Sequence, residues 1–442
     1  MCIRDSDKLG RPIQHQVSKG NTLHRSRQYV WEVDDRLKQI KDLLQGTIQY
    51  GHDAFGNLTF ATYNDGYTDY RIADEVGNLY KSKDKTDRKY GATGQLLESK
   101  EAKYEYDPEG NLIRKTEKDG KIWKYDWYLN GMLKSVTRPD KNVVSFTYDP
   151  LGRRLSKTYL DTTTRWVWDG NTPIHEWTED SGKPTLSISA DGNLAAEIEN
   201  KNLITWIFQD GTFTPVAKLY RGQQYSIISD HLGTPAEMYN EKGDKVWEIG
   251  LNIYGEVRTI EGLRVECPFR FPGQYEDDET GLYYNRFRYY DPNNSIYISE
   301  DPIGIEGTNP TLYGYVHDTT ITVDYFGLTC GPKSKKTSHT SRSRREAFRN
   351  AKTDAKIGRN QHPHKVEHVP LEDGYGDFVR DANGKPIQTR EYHFTNSSGE
   401  NVVIQEHSLG HTKGDVGPHF NVRPASDTKG GHIEGTHGHY FF

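Results

Sequence analysis

"YDPEGNL", residues 106–112, is a single short turn, and the chain keeps returning to it. The same order of residues recurs in YGHDAFGNL (50–58), YRIADEVGNL (70–79), YGATGQL (90–96), YDWYLNGML (125–133) and YDPLGRRL (148–155). YVWEVDDRL (29–37) keeps it without the glycine. Each copy carries a tyrosine, usually an aspartate, then glycine, then leucine. The leucines are Leu37, Leu58, Leu79, Leu96, Leu112, Leu133 and Leu155, spaced 21, 21, 17, 16, 21 and 22 residues apart. Periods of this size mark stacked supersecondary units. Asp-Pro-x-Gly-Asn is turn chemistry, because proline presets the backbone and glycine supplies positive φ. The flanking Tyr and Leu then pack on a pleated face. One strand–turn–strand unit cannot bury that face alone, so units join into an extended sheet. RLKQIKDLL (36–44) taken alone has the spacing of an amphipathic helix. Its place in the repeat register makes it a strand.

Composition agrees. The 442 residues include 42 Gly, 29 Tyr and 8 Trp but only 3 Met, which favours short strands and turns over long helices. The length calls for two or three domains. No apolar run is long enough for a membrane-spanning helix. Three cysteines (Cys2, Cys267, Cys330) make no disulfide framework and no CxxC pair. The opening MCIRDS (1–6) lacks the apolar core of a signal peptide. Back-translated, it looks like a sequencing-library adapter, so the expectation is a gene fragment whose true N-terminus is missing.

The net charge of −6 is unevenly shared. Residues 331–442 hold 17 Lys+Arg against 13 Asp+Glu, and 11 of the 17 histidines but only 3 of the 29 tyrosines. Two kinds of protein meet near residue 330.

The repeats resemble the YD-repeat family of bacterial Rhs proteins and insecticidal toxin-complex C components. SDHLGTP (229–235), RFPGQYEDDETGLYYNRFRYYDP (270–292) and YISEDPIG (297–304) resemble the Rhs-associated core signature. The resemblance spans residues 25–328. It implies a β shell enclosing a C-terminal toxin, secreted or surface-delivered by a bacterium. A complete shell is much longer, so this length of chain alone is expected not to close a cavity. The family's core ends in a DPxGL-like motif where the chain cuts itself, and TVDYFGL (322–328) matches with Tyr325 in place of proline. The family's two protease-like aspartates fall on Asp301 and Asp324, which implies cleavage between Leu328 and Thr329. Two carboxylates sharing a proton can act as acid and base on one peptide bond. The plain alternative is that both are turn-forming aspartates.

Residues 329–345, TCGPKSKKTSHTSRSRR, are basic and Ser/Thr-rich, as a linker is. Ser343 and Glu346 have capping-box spacing, opening a helix REAFRNAKTDAKI that Gly358 would stop. Its basic face is a solvated surface or a phosphate contact. Strands follow: VEHVPL (366–371), GDFVRDANGKPIQTREYHF (376–394) and NVVIQEHS (401–408), with turns at Asp-Ala-Asn-Gly and Asn-Ser-Ser-Gly-Glu. Glu406 and His407 thus end a strand and face opposite ways.

The stretch VVIQEHSLGHTKGDVGPHFNVRP (402–424) carries the chemistry. It is not HExxH, since Ser408 stands where that motif has Glu and Gly410 breaks any helix. It lacks the HxE…PCxxC of zinc deaminases. Phosphodiester hydrolysis by one divalent cation and a histidine base remains. QEHSLGH, GPHFNVRP and the terminal HGHYFF resemble the HNH/endonuclease VII toxins of the Glu-His-His-His type. The implied fold class is a mainly β YD-repeat shell followed by a small α+β domain of the ββα-metal, HNH-like kind. The expected boundaries are 7–160 for YD repeats, 161–328 for the core, 329–342 for the linker and 343–442 for the nuclease toxin. His407 is the expected general base, because a neutral imidazole can take a proton from water near neutral pH. Glu406, His411, His419 and His439 form the pool of metal ligands. Asn421 orients the base or loop, and Arg423 holds a phosphate oxygen. The cation is Mg2+ first, with Mn2+ or Zn2+ as alternatives. Expected partners are DNA before RNA, a cognate immunity protein encoded nearby, and secretion-system delivery components. The toxin domain is expected to act in the target-cell cytoplasm. His362, His364, His368, His393, His432 and His437 are expected to be surface or strand residues without a role. The competing class is an adhesion protein whose shell works and whose tail is inert. A third reading makes the tail an RNase.

Overall fold

The computed structural model describes residues 2–32, 35–180, 186–188, 194–196, 202–304, 311–328, 338–340, 344–358, 361–371, 378–381, 384–407, 418–426, 428, 433, 436 and 439–441. They divide into two compact units, Met1–Gly331 and Pro332–Phe442. Among the described residues, no helix is long and apolar enough to cross a membrane.

The first unit is built from antiparallel meanders. A seven-stranded sheet runs in chain order from Cys2–Ser6 to Thr68–Tyr70, and a sixteen-stranded sheet from Arg88–Tyr90 to Val257–Glu261. The residues 2–6, set apart in the sequence as an adapter, pair as a strand with Pro12–Lys19. The stretch with the helical pattern is the strand Leu37–Asp42, with Leu37 fully buried and Lys38 exposed. The repeat explains the geometry. Tyr106 pairs with Leu112 across a register shift, as Tyr90 does with Leu96 and Trp127 with Leu133. In the turn between, Asp107 N–H donates to Asn111 O at 2.9 Å and Gly110 N–H to Asp107 O at 3.0 Å. Asp107 Oδ1 also accepts the Asn111 N–H at 2.7 Å. Gly110 sits at φ +79°, and a Cβ there would lie 2.5 Å from the Glu300 carboxyl.

Leu37, Leu58, Leu79, Leu96, Leu112 and Leu133 are buried in this way, but Leu155 is 40% exposed. The repeat position in YDPLGRRL belongs to Arg154, which pairs with Tyr148 and is 1% exposed. Counting six residues on from the tyrosine, as in YDPEGNL, lands on Arg154 and restores the 21-residue spacing from Leu133. A cation replaces the leucine because it has a partner: Arg154 Nη1 lies 2.5 Å from Asp277 Oδ2. Its guanidinium also sits 4.4 Å from the Trp166 ring and 4.5 Å from that of Tyr284.

Asp277 belongs to a four-stranded sheet, Tyr275–Asp277 through Ile296–Tyr297, that is buried throughout. Its aromatic rings join Leu96, Leu112 and Leu133 in one hydrophobic core.

The second unit has a six-stranded sheet. Its order is Ser338–Thr340, His439–Phe441, His419–Pro424, Asn401–His407, Gln388–Thr395, Lys365–Pro370. The first pair is parallel and the others antiparallel. Residues 338–340, expected to be linker, are therefore a strand. The helix Arg344–Asp354 buries Ala347 and Ala351 against Phe394, Val402, Ile404, Phe420 and Val422. Alanines one turn apart let the helix approach the sheet closely. The helix ends before Gly358. Lys356 takes the left-handed conformation at φ +57°. Ile357 N–H donates to Lys352 O at 2.8 Å and Lys356 N–H to Thr353 O at 3.0 Å, a Schellman cap built on lysine. The expected Ser343–Glu346 capping box lies outside the described residues and side chains.

Candidate functional site

In the C-terminal unit, Asn401–His407 and His419–Pro424 pair so that His407 faces His419, Gln405 faces Asn421 and Val403 faces Arg423. Strand alternation puts these six on one side of the sheet and Ile404, Glu406, Phe420 and Val422 on the other, under the helix. The His407 and His419 rings stack at 4.9 Å between centroids and 12° between planes. His419 is fully buried, and Asn421 and Arg423 nearly so. The Oδ1 of Asn421 is buried without a hydrogen-bond partner among the described residues. Three expected site residues, His407, His419 and Asn421, are thus brought together, with Arg423 next along the strand. The strand containing His439 lies beside them, with Tyr440 paired to Phe420. The His439 side chain, His411, His432 and His437 lie outside the described residues or side chains.

Glu406 is placed differently from its expected companions. Its carboxylate takes both Arg344 Nε at 2.7 Å and Nη2 at 2.6 Å, and the Tyr392 hydroxyl at 3.2 Å. Burial alone would raise its carboxyl; Arg344 outweighs that and holds it below the ordinary carboxylate range. Both oxygens are used on the helix side, away from the two imidazoles. Nothing in the sequence pairs Arg344 with a residue 62 positions away. Among the described residues, three metal-capable side chains come within 4.8 Å of one another only at Glu367, Glu391 and His393.

In the first unit, Asp301 and Asp324 are both buried and converge on Arg288. Arg288 Nη2 lies 2.8 Å from Asp301 Oδ2 and 3.6 Å from Asp324 Oδ2. Arg288 Nε also donates to the Gly327 carbonyl. Asp324 Oδ1 accepts the N–H of Gly327 at 2.8 Å and of Leu328 at 3.2 Å, while the Tyr297 hydroxyl donates to Oδ2 at 2.8 Å. Gly327 turns the chain at φ +68°, where a Cβ would meet the Asn285 carbonyl at 2.6 Å. Burial pushes the Asp301 carboxyl up, Arg288 pulls it down, and Asp324 pushes it up again. Tyr325, which stands where the motif has proline, stacks on Phe213 at 5.0 Å. Arg288, Tyr297 and Phe213 were not marked by the sequence. Arg288 lies in plain view within RFRYYDP, but only the fold turns it toward the two aspartates. Thr329 lies outside the described residues.

The family model described as the teneurin YD-shell matches residues 2–167 and 198–315. The chain belongs to the YD-shell family. A second model, HNH/Endo VII superfamily nuclease toxins, matches residues 378–442 of this YD-shell chain. It is 30% identical over 322 residues to a double-stranded DNA deaminase toxin A of Burkholderia cenocepacia, covering 68% of this chain and 22% of the relative. It is also 30% identical over 315 residues to a probable deoxyribonuclease RhsB of Dickeya dadantii, covering 64% and 21%. The chain thus spans about a fifth of the length of these curated relatives. In fold it is similar to the Photorhabdus luminescens Tc holotoxin pore, at a TM-score of 0.50 and 15% identity, over 75% of this chain and 18% of that one. The chain is thus a mainly β YD-shell followed by a small C-terminal domain similar to the HNH nuclease toxins. The two relatives' names give different chemistries, so the shell does not by itself name the reaction.

Proposed function

We propose that the C-terminal unit is a divalent-metal-dependent endonuclease that cuts DNA. The stacked pair of His407 and His419 on adjacent strands carries this reading, together with the family match over the same residues. His407, half-buried at the strand end, is the general base that takes a proton from the attacking water. His419 supplies an imidazole and Asn421 a carbonyl oxygen from the same face, and the unpartnered Asn421 oxygen fits a cation ligand. His411 and His439 stay in the ligand pool. Glu406 does not fit as a ligand while Arg344 holds both its oxygens; its role is to brace the strand that carries His407. A cation held by these residues would supply polarisation of the phosphate and stabilisation of the leaving oxygen. Arg423 offers a cationic fork to a phosphate oxygen. Imidazole donors suit Mn2+ and Zn2+ as well as Mg2+.

We further propose self-cleavage between Leu328 and Thr329, with Asp301 and Asp324 as acid and base. Opposed effects on the Asp301 carboxyl and the capture of the Leu328 N–H by Asp324 support it. The released domain acts in the cytoplasm of a target cell after delivery by a bacterial secretion system. The producer keeps a cognate immunity protein, acidic to match the basic tail, since complementary charge speeds association.

The test is incubation of the chain with plasmid DNA or RNA and Mg2+, Mn2+ or Zn2+, with and without chelator. Metal-dependent nicking of DNA that His407→Ala abolishes without loss of bound metal is the expected outcome. His419→Ala should lose metal and activity together. Cleavage of RNA alone makes the domain an RNase, and wild-type cutting by both variants refutes the site.

A further inference from the structure

The same face of the C-terminal sheet holds a second cluster, nearer its edge, that the nuclease reading does not use. Lys365–Pro370 is the edge strand, and its Glu367 lies directly opposite Glu391 on Gln388–Thr395. Like charges directly opposite on paired strands destabilise a sheet. These two are also brought together with an imidazole. His393 Nε2 lies 3.0 Å from Glu367 Oε2, and donor atoms of all three residues fall within 4.8 Å of one another. The Nε2 atom is shielded from solvent and has no hydrogen-bond partner among the described residues. Each carboxylate is steadied from outside. Lys365 Nζ takes Glu367 Oε1 at 2.5 Å, leaving Oε2 toward the imidazole. Gln405 Nε2 donates to Glu391 Oε1 at 2.7 Å. Outer hydrogen bonds of that kind orient carboxylate ligands around metals.

We propose that Glu367, Glu391 and His393 form a binding site for one divalent transition-metal ion of the Zn2+ class, separate from the His407–His419 site. Two carboxylate oxygens and one imidazole nitrogen give three protein ligands, with water completing the tetrahedron that Zn2+ prefers. The imidazole selects against Ca2+ and Mg2+, which take oxygen donors. The 4.8 Å spread contracts to the distances of a bound ion by small side-chain rotations, for which the 39% exposed Glu367 has room. The ion cancels the Glu367–Glu391 repulsion and ties the edge strand to its neighbour. Gln405 links this cluster to the middle of the sheet, because its backbone pairs with Asn421 on the far side.

The experiment is equilibrium dialysis of the chelator-stripped full chain against Zn2+, with bound metal counted by elemental analysis. The variants are Glu391→Gln, His393→Gln, Gln405→Ala and His407→Ala, each checked for folding by far-UV circular dichroism. Glutamine at these half-exposed positions preserves size and polarity. Wild type should bind one equivalent, over and above any ion held at His419, that Glu391→Gln and His393→Gln each lose and His407→Ala keeps. Gln405→Ala should weaken that equivalent by roughly tenfold, as loss of an outer-shell partner does. In wild type and His407→Ala, but not in the two glutamine variants, Zn2+ should slow amide exchange along Lys365–Pro370. Unchanged stoichiometry and affinity in both glutamine variants overturns the proposal. So does loss of the equivalent in His407→Ala with retention in His393→Gln. Neither result depends on nuclease activity, so the two sites stand or fall separately.

Discussion

The pairing of Glu406 with Arg344 is where the structure departs furthest from the ligand set expected of the motif, and it can be tested by removing the cation. Arg344→Met keeps the aliphatic stem over Phe420, whose ring lies 5.2 Å from the guanidinium. Among the described residues, it leaves the Glu406 carboxylate with the Tyr392 hydroxyl at 3.2 Å as its one hydrogen-bond donor. The Glu406 side chain is 9% exposed and that of Arg344 44%. An exposed pair is worth about 0.2–1 kcal/mol, and breaking a buried one costs about 3–5 kcal/mol. With one partner in each class, the loss should be about 1–2 kcal/mol. That lowers the melting temperature of a domain this size by roughly 5–15 °C. The assay is thermal and urea unfolding of the C-terminal unit, wild type against Arg344→Met and Glu406→Gln. The pH dependence has a definite sign. Arg344 lowers the Glu406 carboxyl in the folded state, so the stabilisation is fully present above the unfolded value. It is lost as pH falls through the folded value, so the gap between wild type and Arg344→Met is full at pH 7 and closes below about pH 4. If Arg344→Met unfolds with wild type while Glu406→Gln releases bound metal, Glu406 is a ligand and the brace reading is wrong.

Two further outcomes follow from the first unit. Asp301→Asn or Asp324→Asn should leave one band where wild type gives two on a denaturing gel, and Arg288→Ala, which removes the cation both aspartates share, should slow the conversion; intact wild type by mass spectrometry refutes self-cleavage. Arg154→Leu restores the residue type of the repeat but leaves Asp277 with Lys157 alone, at 3.3 Å. It should cost about 3–5 kcal/mol, as breaking a buried pair does. Arg154→Leu with Asp277→Leu should recover much of it, read by tryptophan fluorescence during urea unfolding, since Trp166 stacks beside the guanidinium. A single Arg154→Leu variant as stable as wild type would show that the pair is incidental.

The repeat was legible because its signal is local. A turn of Asp, Gly and Asn five residues long imposes its own backbone, and a leucine just after it must face the same way each time. That sufficed to make Leu37–Asp42 a strand against its helical spacing. The count failed only where the repeat position carries Arg154, because a cation in a leucine's place is explained by Asp277, 123 residues later. Strand alternation by itself likewise separates Glu406 from His407. Which cation takes the Glu406 carboxylate was decided by the packing of a helix 62 residues away. The same holds for Arg288 between Asp301 and Asp324, and for Glu367, Glu391 and His393 across two strands. The chain order determines turns, strands and the faces of side chains, since these depend on neighbours within a few bonds. Which charges meet depends on register between strands and on how sheet and helix close over them, and only the tertiary structure sets that.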